Sequence, residues 1–182
     1  GISSAKCVQA GIVYTFQVTS VFSNLICYEN VALSVQRNLR AQQKGMALFG
    51  KWSMISENDI EQAVSKYLLK VGLTGVETQI AGTLPYGHQK LLEVAMSLAA
   101  GPELLILDEP TQGLAEAEIE NLTQLIREIS KSVKVLLIEH NMEVVFKLAE
   151  HITVMDNGSI LAEGTPAEIE NNHAVQASYL GN

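Results

Sequence analysis

Residues 103–110 read "ELLILDEP", a short aliphatic run that ends in two acids, Asp108 and Glu109. An uninterrupted apolar run of this length is typical of a strand buried on both faces of a parallel sheet. A second run, "VKVLLIEH" over residues 133–140, repeats the pattern and ends in an acid followed by His140. We therefore expect two strands of one sheet, each with polar side chains at its carboxyl end.

Helical patterns surround these two runs. "EAEIENLTQLIREISK" (residues 116–131) carries an apolar face, with its acids early and Lys131 late, as the helix dipole favours. "MEVVFKLAE" (residues 142–150) predicts a short helix, and Asn157-Gly158 between two strand-like runs predicts a hairpin. Strand, helix, strand, helix and strand in this order predict an α/β core with a parallel sheet.

The chain before residue 103 begins with a strand-like run, "AGIVYTFQVTSVF", and then becomes helical. Ser56 with Asp59 three residues later predicts a capping box at a helix start, and Gly72 predicts that helix's end. A further helix is expected from about Tyr86 to Ala100. The expected divisions are residues 1–27 (end of an amino-terminal core), 28–100 (a helical subdomain) and 101–182 (an α/β core).

Composition narrows the class of protein. The 182 residues are 47% hydrophobic but only 5% aromatic, which suits an aliphatic α/β protein with a substantial core. A net charge of −8 argues against a nucleic-acid surface, because phosphate binding needs clustered Lys and Arg. The chain has only two cysteines, Cys7 and Cys27, so no disulfide framework is expected, and their spacing is not that of a metal site. We expect neither an amino-terminal leader nor a membrane span, which needs about 20 apolar residues.

One stretch imitates a phosphate-binding P-loop. "GMALFGKWS" (residues 45–53) has the glycine and glycine-lysine skeleton of that loop. However, Trp52 stands where a hydroxyl should hold Mg²⁺, and the preceding "SVQRNLRAQQK" is polar and helical instead of a buried strand. We interpret this stretch as a decoy.

The polar ends of the two strands suggest chemistry, because open α/β sheets bind ligands at this edge. Asp108 is placed to hold Mg²⁺, directly or through water, since hard cations take oxygen ligands. Glu109 could polarise a water that attacks phosphorus, and His140 could hydrogen-bond a phosphate oxygen or that water. The competing interpretation is that such acids only mark where a strand meets solvent, and that His140 is an ordinary loop histidine.

Four stretches occur in the order known from one family: "YTFQ" (residues 14–17), "LPYGHQKLLEV" (84–94), "LLILDEPTQGL" (104–114) and "VLLIEHNM" (135–142). Together they resemble the Q-loop, signature motif, Walker B strand with D-loop, and switch-histidine strand of the ATP-binding subunits of ABC transporters. The resemblance covers nearly the whole chain. It implies an incomplete P-loop NTPase (RecA-like) core with a mainly parallel sheet, plus an all-helical signature subdomain.

A finer resemblance is to the branched-chain amino acid importer ATPases. It is carried by "FSNLICYENV", "LPYGHQ", "IEHNMEVV" and the ending "VQASYLG". Importers of urea and short amides share much of this pattern, so the transported solute stays open. The implied function is that of an ATP-hydrolysing importer subunit with ATP and Mg²⁺ as cofactors, at the cytoplasmic face of the membrane. The implied partners are transmembrane permease subunits and a homologous ATPase subunit, in a homo- or heterodimer.

The resemblance also implies residue roles. Glu109 would be the general base, Asp108 the metal organiser and His140 the γ-phosphate contact. Gln17 would bind the metal and sense the permease. A signature segment would close on ATP held by the partner subunit. That segment consists of Leu84, Pro85, Tyr86, Gly87 and His88.

Some positions depart from the family pattern. Pro85 replaces the signature serine and so removes a hydroxyl and an N–H. Tyr86 replaces a glycine, and Ala115 replaces the D-loop aspartate. Leu91 and Met96 stand where arginines are frequent.

The family's P-loop would precede Gly1, and without it the chain alone is expected to bind ATP weakly and to be inactive. The alternative function is a non-catalytic module that docks to a permease or to a homologous ATPase. The missing P-loop and Pro85 favour this module. Asp108, Glu109 and His140 favour the enzyme.

Overall fold

The computed structural model describes residues 4–15, 17, 19–47 and 55–180. The chain divides into two compact units, unit 1 (Gly1–Ile138) and unit 2 (Glu139–Asn182). The predicted helical subdomain lies within unit 1, and its boundaries stay a prediction.

Unit 1 contains a three-stranded sheet. The strands are β1 (Ile12–Thr15), β2 (Leu104–Asp108) and β3 (Lys134–Ile138). They are parallel in the order β1-β2-β3, and Asp108 lies opposite Ile138 in the register. The two apolar runs therefore form adjacent strands whose carboxyl ends meet at one edge, as predicted. The expectation that both strands are buried on both faces is wrong for β3, because Leu136 is 50% and Ile138 45% exposed.

Five α-helices and one short 3₁₀ turn, Ala81–Thr83, accompany this sheet within the described part of unit 1. The α-helices are α1 (Ser4–Gln9), α2 (Cys27–Ala47), α3 (Glu57–Lys70), α4 (Tyr86–Ala99) and α5 (Glu116–Ser130). Helices α2, α3 and α4 pack against one another, and α4 also contacts β1. The buried apolar side chains that these helices share include Val31, Val35, Val64, Leu68, Leu92 and Leu98. α4 therefore joins the helices to the sheet.

Local sequence signals set the ends of α3. The Ser56 hydroxyl accepts from the Asp59 N–H at 3.1 Å, and the Asp59 carboxylate accepts from the Ser56 N–H at 3.0 Å. At the other end Gly72 has φ 78°, which lets the Leu73 N–H bond to the Leu68 carbonyl at 2.9 Å. Both predicted ends are confirmed.

The two cysteines lie in different environments. Cys27 opens α2, is 0% exposed and donates its thiol to the Gln79 carbonyl at 3.3 Å. Burial raises the pKa of this thiol above its usual value. Cys7 is half-buried, and both cysteines are free thiols.

Unit 2 is a small α/β assembly. It contains α6 (Met142–Leu148), β4 (Ile152–Asp156), β5 (Ser159–Gly164) and α7 (Pro166–Glu170), followed by helical turns at His173–Val175 and Gln176–Leu180. Its core is built around Ile152, Val154, Ile169 and Val175. Asn157 and Gly158 adopt φ 48° and 78°, the left-handed conformations of a tight hairpin turn, so the predicted hairpin is confirmed.

The pairing of β4 differs from the simplest expectation of one parallel sheet. β4 pairs antiparallel with β5, and these two form a sheet of their own in the described part of the chain. The two-residue turn explains this pairing, because it reverses the chain and lays β5 directly against β4.

The imitation P-loop falls partly within α2. Gly45 lies inside this helix, so no phosphate-binding loop begins there, whereas Gly50 and Lys51 lie outside the described residues. None of the helices in the described ranges is both long and apolar enough to cross a membrane.

Candidate functional site

Two acids lie at the carboxyl end of β2, at the edge where the three strands end. Asp108 is the last residue of β2, and Glu109 comes directly after it. The Glu109 N–H bonds to the Ile138 carbonyl at 2.8 Å, which ties it to the end of β3. Glu109 has φ 45°, a left-handed conformation that a residue with a Cβ adopts at a cost.

Gln17 reaches the same place from the loop after β1. Its side-chain Nε2 donates to Glu109 Oε2 at 2.8 Å, across 92 positions of sequence. Because donation uses the amide nitrogen, the amide oxygen is the atom of Gln17 that could ligate a cation. The structure thus brings together Gln17, Asp108 and Glu109, all of which the sequence analysis selected.

Tyr14 is a site residue that the sequence analysis missed. Its hydroxyl donates to Asp108 Oδ2 from the neighbouring strand. This hydrogen bond, together with desolvation and the carboxylate's charge, raises the pKa of Tyr14 above its ordinary value. The parallel register of β1 and β2 brings the two residues near each other, but no local sequence pattern predicts the contact.

The predicted signature segment forms the entry to α4. Leu84 is buried, and its carbonyl accepts from Gln89 Nε2 at 2.9 Å. Pro85 is the N-cap and makes no side-chain capping bond, while Tyr86, Gly87 and His88 begin the helix. α4 has 14 residues, so the first N–H groups lie at the positive end of a substantial helix dipole.

The first turn of α4 packs closely on the segment that follows β2. A Cβ on Gly87 would collide with Oε1 of Glu118 in α5. The other carboxylate oxygen of Glu118 accepts from the Ala115 N–H at 2.9 Å. A Cβ on Gly113 would lie 3.1 Å from Tyr86 Cε1. Glu118 was not selected from the sequence, because its contact with Gly87 has no local signal.

α4 also carries two buried charged side chains, Lys90 and Glu93, which were not proposed as site residues. Lys90 Nζ donates to the Gln17 carbonyl at 2.8 Å. Glu93 Oε1 accepts from the Ser20 N–H at 3.3 Å. Lys90, Glu93 and Ser97 form a buried polar stripe at helical spacing, and that stripe was the available sequence signal.

His140 belongs to unit 2, two residues beyond the end of β3. The Glu139 carboxylate accepts from the backbone N–H groups of His140 at 3.0 Å and of Asn141 at 3.2 Å. Asn141 in turn caps α6 through the Val144 N–H at 3.3 Å. The proximity of the His140 imidazole to Glu109 stays a prediction.

Two protein-family models match parts of this chain. The ABC transporter model matches residues 3–112, which include Gln17, residues 84–88, Asp108 and Glu109. A second model, the branched-chain amino acid ATP-binding cassette transporter, matches residues 159–182. This chain belongs to the ABC transporter family.

Individual ABC proteins support that assignment across the whole chain. The high-affinity branched-chain amino acid transport ATP-binding protein BraF of Pseudomonas aeruginosa is 35% identical over 183 residues, covering 100% of this chain and 72% of BraF. LivG of Escherichia coli, described in the same words, is 32% identical over 184 residues, covering 100% of this chain and 72% of LivG.

A solved structure confirms the ABC cassette fold. The ADP conformation of MJ1267, an ATP-binding cassette of an ABC transporter, superimposes with a TM-score of 0.75 at 28% identity. The match covers 98% of this chain and 71% of MJ1267. The chain therefore has the α/β ABC ATPase fold that the sequence predicted.

The oxygen donors at the end of β2 are of the kind that would hold Mg²⁺, the metal expected from the sequence. Mg²⁺ prefers oxygen ligands and is usually held by one or two protein carboxylates together with phosphates and water. Asp108 supplies a half-buried carboxylate, and Gln17 supplies an amide oxygen nearby. Among the described residues there is no group of three or more His, Cys, Asp or Glu side chains arranged to hold a metal ion.

Proposed function

We propose that this chain is an ATP-hydrolysing subunit of an ABC importer for branched-chain or other amino acids. The observation that carries the proposal is the Gln17–Glu109 hydrogen bond of 2.8 Å beside Asp108, at the edge where three parallel strands end. The relatives described as branched-chain amino acid transport proteins support the solute class.

Glu109 is the general base of the proposed reaction. It would orient the attacking water and accept its proton, and the Gln17 amide would hold the carboxylate in position. Asp108 and Gln17 would hold Mg²⁺, which when bound neutralises charge on the phosphates. His140 would donate a hydrogen bond to the γ-phosphate.

The signature segment acts on a second nucleotide. Leu84, Pro85, Tyr86, Gly87 and His88 would face ATP bound by a homologous subunit. The backbone N–H groups at the start of α4 are suited to an anion, because they point out of the helix's positive end. The proposed assembly is a homo- or heterodimer that contacts transmembrane permease subunits, peripheral to the cytoplasmic face of the membrane.

Replacing the general base tests this proposal. In the native transporter complex, Glu109→Gln should lower the rate of ATP hydrolysis by at least about a hundredfold, because the amide cannot accept the proton. ATP binding should persist, as measured by titration with a fluorescent ATP analogue. Glu116→Gln, an exposed change in the first turn of α5, is the matched control and should leave turnover unchanged. Undiminished hydrolysis by the Glu109→Gln variant would refute the assignment.

A second candidate function is the non-catalytic docking module. Pro85 at the N-cap favours it, because proline offers neither a hydroxyl nor an N–H to a phosphate. The two functions differ in one result, since the docking module would form the complex but show no hydrolysis even with Glu109 intact. The weak binding of ATP by the isolated chain stays a prediction, checked by titration with Mg²⁺-ATP.

A further inference from the structure

Two buried charges connect α4 to the loop that carries Gln17. Lys90 is 4% exposed and Glu93 is 5% exposed, although lysine and glutamate are almost never this buried without a partner. They lie three positions apart and so emerge from the same side of α4. Thr15 and Leu107, from the adjacent strands, line the same small cleft as these two side chains.

Both charged side chains bind backbone groups of this loop. Lys90 donates to the carbonyl of Gln17 at 2.8 Å, and Glu93 accepts from the N–H of Ser20 at 3.3 Å. The Lys90 ammonium also lies 5.8 Å from the centre of the Tyr86 ring, within the range of a cation–π contact. Lys90 therefore touches both the Gln17 backbone and the signature segment.

We propose that Lys90 and Glu93 are positioning residues that fasten the loop backbone at Gln17 and Ser20 to α4. By fixing the Gln17 carbonyl, Lys90 sets the direction in which the Gln17 side chain leaves the loop, and so holds its amide against Glu109. The catalytic consequence rests on the proposed function, in which Glu109 is the general base. The physical link between α4 and the Glu109 carboxylate does not depend on the proposed function.

The link can be measured in the full chain without nucleotide. In a ¹⁵N-labelled sample, exchange of the Gln17 side-chain amide protons with solvent reports whether the bond to Glu109 is formed. Lys90→Met keeps most of the apolar stem but removes the ammonium, so Gln17 amide exchange should accelerate about tenfold, as expected for losing a hydrogen bond from a charged donor. Lys90→Arg should restore slow exchange because it returns a cationic donor.

An exposed lysine provides the matched control. Lys131 directly follows α5 and pairs with Glu128 on the surface, where its side chain is 64% exposed. Lys131→Met should therefore leave Gln17 amide exchange unchanged. If Lys90→Met does not fold, Lys90→Gln serves in its place, since its shorter side chain ends before the Gln17 carbonyl. Slow Gln17 exchange in folded Lys90→Met or Lys90→Gln, or equal acceleration in Lys131→Met, would overturn the proposal.

Turnover supplies an independent readout. In the native complex, Lys90→Met should lower kcat about tenfold with KM for ATP unchanged, and Lys90→Arg should recover kcat. A KM effect without a kcat effect would contradict the positioning role. If the unsubstituted complex hydrolyses no ATP, the proposed function fails while the amide-exchange result still decides the link.

Discussion

Glu109, the proposed general base, has an unfavourable backbone conformation. Its φ of 45° falls in the left-handed region, and its N–H is committed to the Ile138 carbonyl. Such strained positions are concentrated at functional sites, where the surrounding structure holds them in place.

This strain predicts an order of stability between two variants. Glu109→Ala and Glu109→Gly both lose the carboxylate and its bond to Gln17, but only alanine keeps a Cβ. The glycine variant should be the more stable by roughly 1–2 kcal/mol, measured by urea unfolding. Equal stability would show that residue 109 is not held in the left-handed conformation.

Gly87 predicts a second effect at the scale of single residues. Gly87→Ala should displace the Glu118 carboxylate and release the Ala115 N–H, which costs about 1 kcal/mol, as does loss of a helix cap. The same substitution in a Glu118→Ala background has nothing to displace and should be neutral or stabilising, because alanine favours the helix.

A double-mutant cycle of thermal unfolding measures this coupling between Gly87 and Glu118. The expected interaction energy is about 1 kcal/mol. Strict additivity of the two substitutions would disprove the contact.

At the scale of elements, α3 offers a test of local capping. Ser56→Ala removes the hydroxyl that accepts the Asp59 N–H and should destabilise the chain by about 1 kcal/mol in urea. Ser65→Ala, at an exposed position within the same helix, should cost nothing.

The same cap predicts a dependence on pH. The Asp59 carboxylate accepts hydrogen bonds from the Ser56 N–H and from the Ser56 hydroxyl, and the first of these has the larger effect. Both hold the pKa of Asp59 below its ordinary value. A lowered pKa means that the ionised carboxylate stabilises the folded chain above the unfolded-state pKa, and that this contribution disappears as pH falls through the folded-state pKa. An NMR titration of Asp59 should show its pKa rising toward the ordinary value in Ser56→Ala, and an unchanged pKa would contradict the cap.

The elements were largely predictable because their signals are local. A capping box, a glycine after a helix and an Asn-Gly turn each act within a few residues, so Ser56, Gly72 and Asn157 could be interpreted from sequence alone. The contacts that build the site join residues far apart in the chain. The Gln17–Glu109 pair was located through a family resemblance, and the Tyr14–Asp108 and Gly87–Glu118 contacts had no sequence signal because they depend on packing.

At the scale of the whole molecule, the chain forms two units of unequal size. Unit 2 has its own apolar core, in which Ile169 is 1% exposed. A unit with so few residues buries little surface, so single core residues matter more to its stability.

Core truncation in unit 2 should therefore act locally. Ile169→Ala should destabilise unit 2 by about 3 kcal/mol and accelerate amide hydrogen exchange mainly in residues 139–182. Ile160→Ala is the control, since Ile160 is 59% exposed on β5 and its truncation should change exchange little. Equal acceleration in both units after Ile169→Ala would indicate that they open together.

The buried thiol at the start of α2 makes it possible to measure how often that end of the helix opens. An alkylating reagent consumes the thiolate, and burial both shields Cys27 and keeps it protonated. Iodoacetamide should therefore label Cys7 first and Cys27 only when that end of the helix opens, which intact-mass spectrometry can follow over time. Simultaneous labelling would mean that the thiol is open to reagent. Sequential labelling would let Cys27 report, without any added probe, how often the helix end opens.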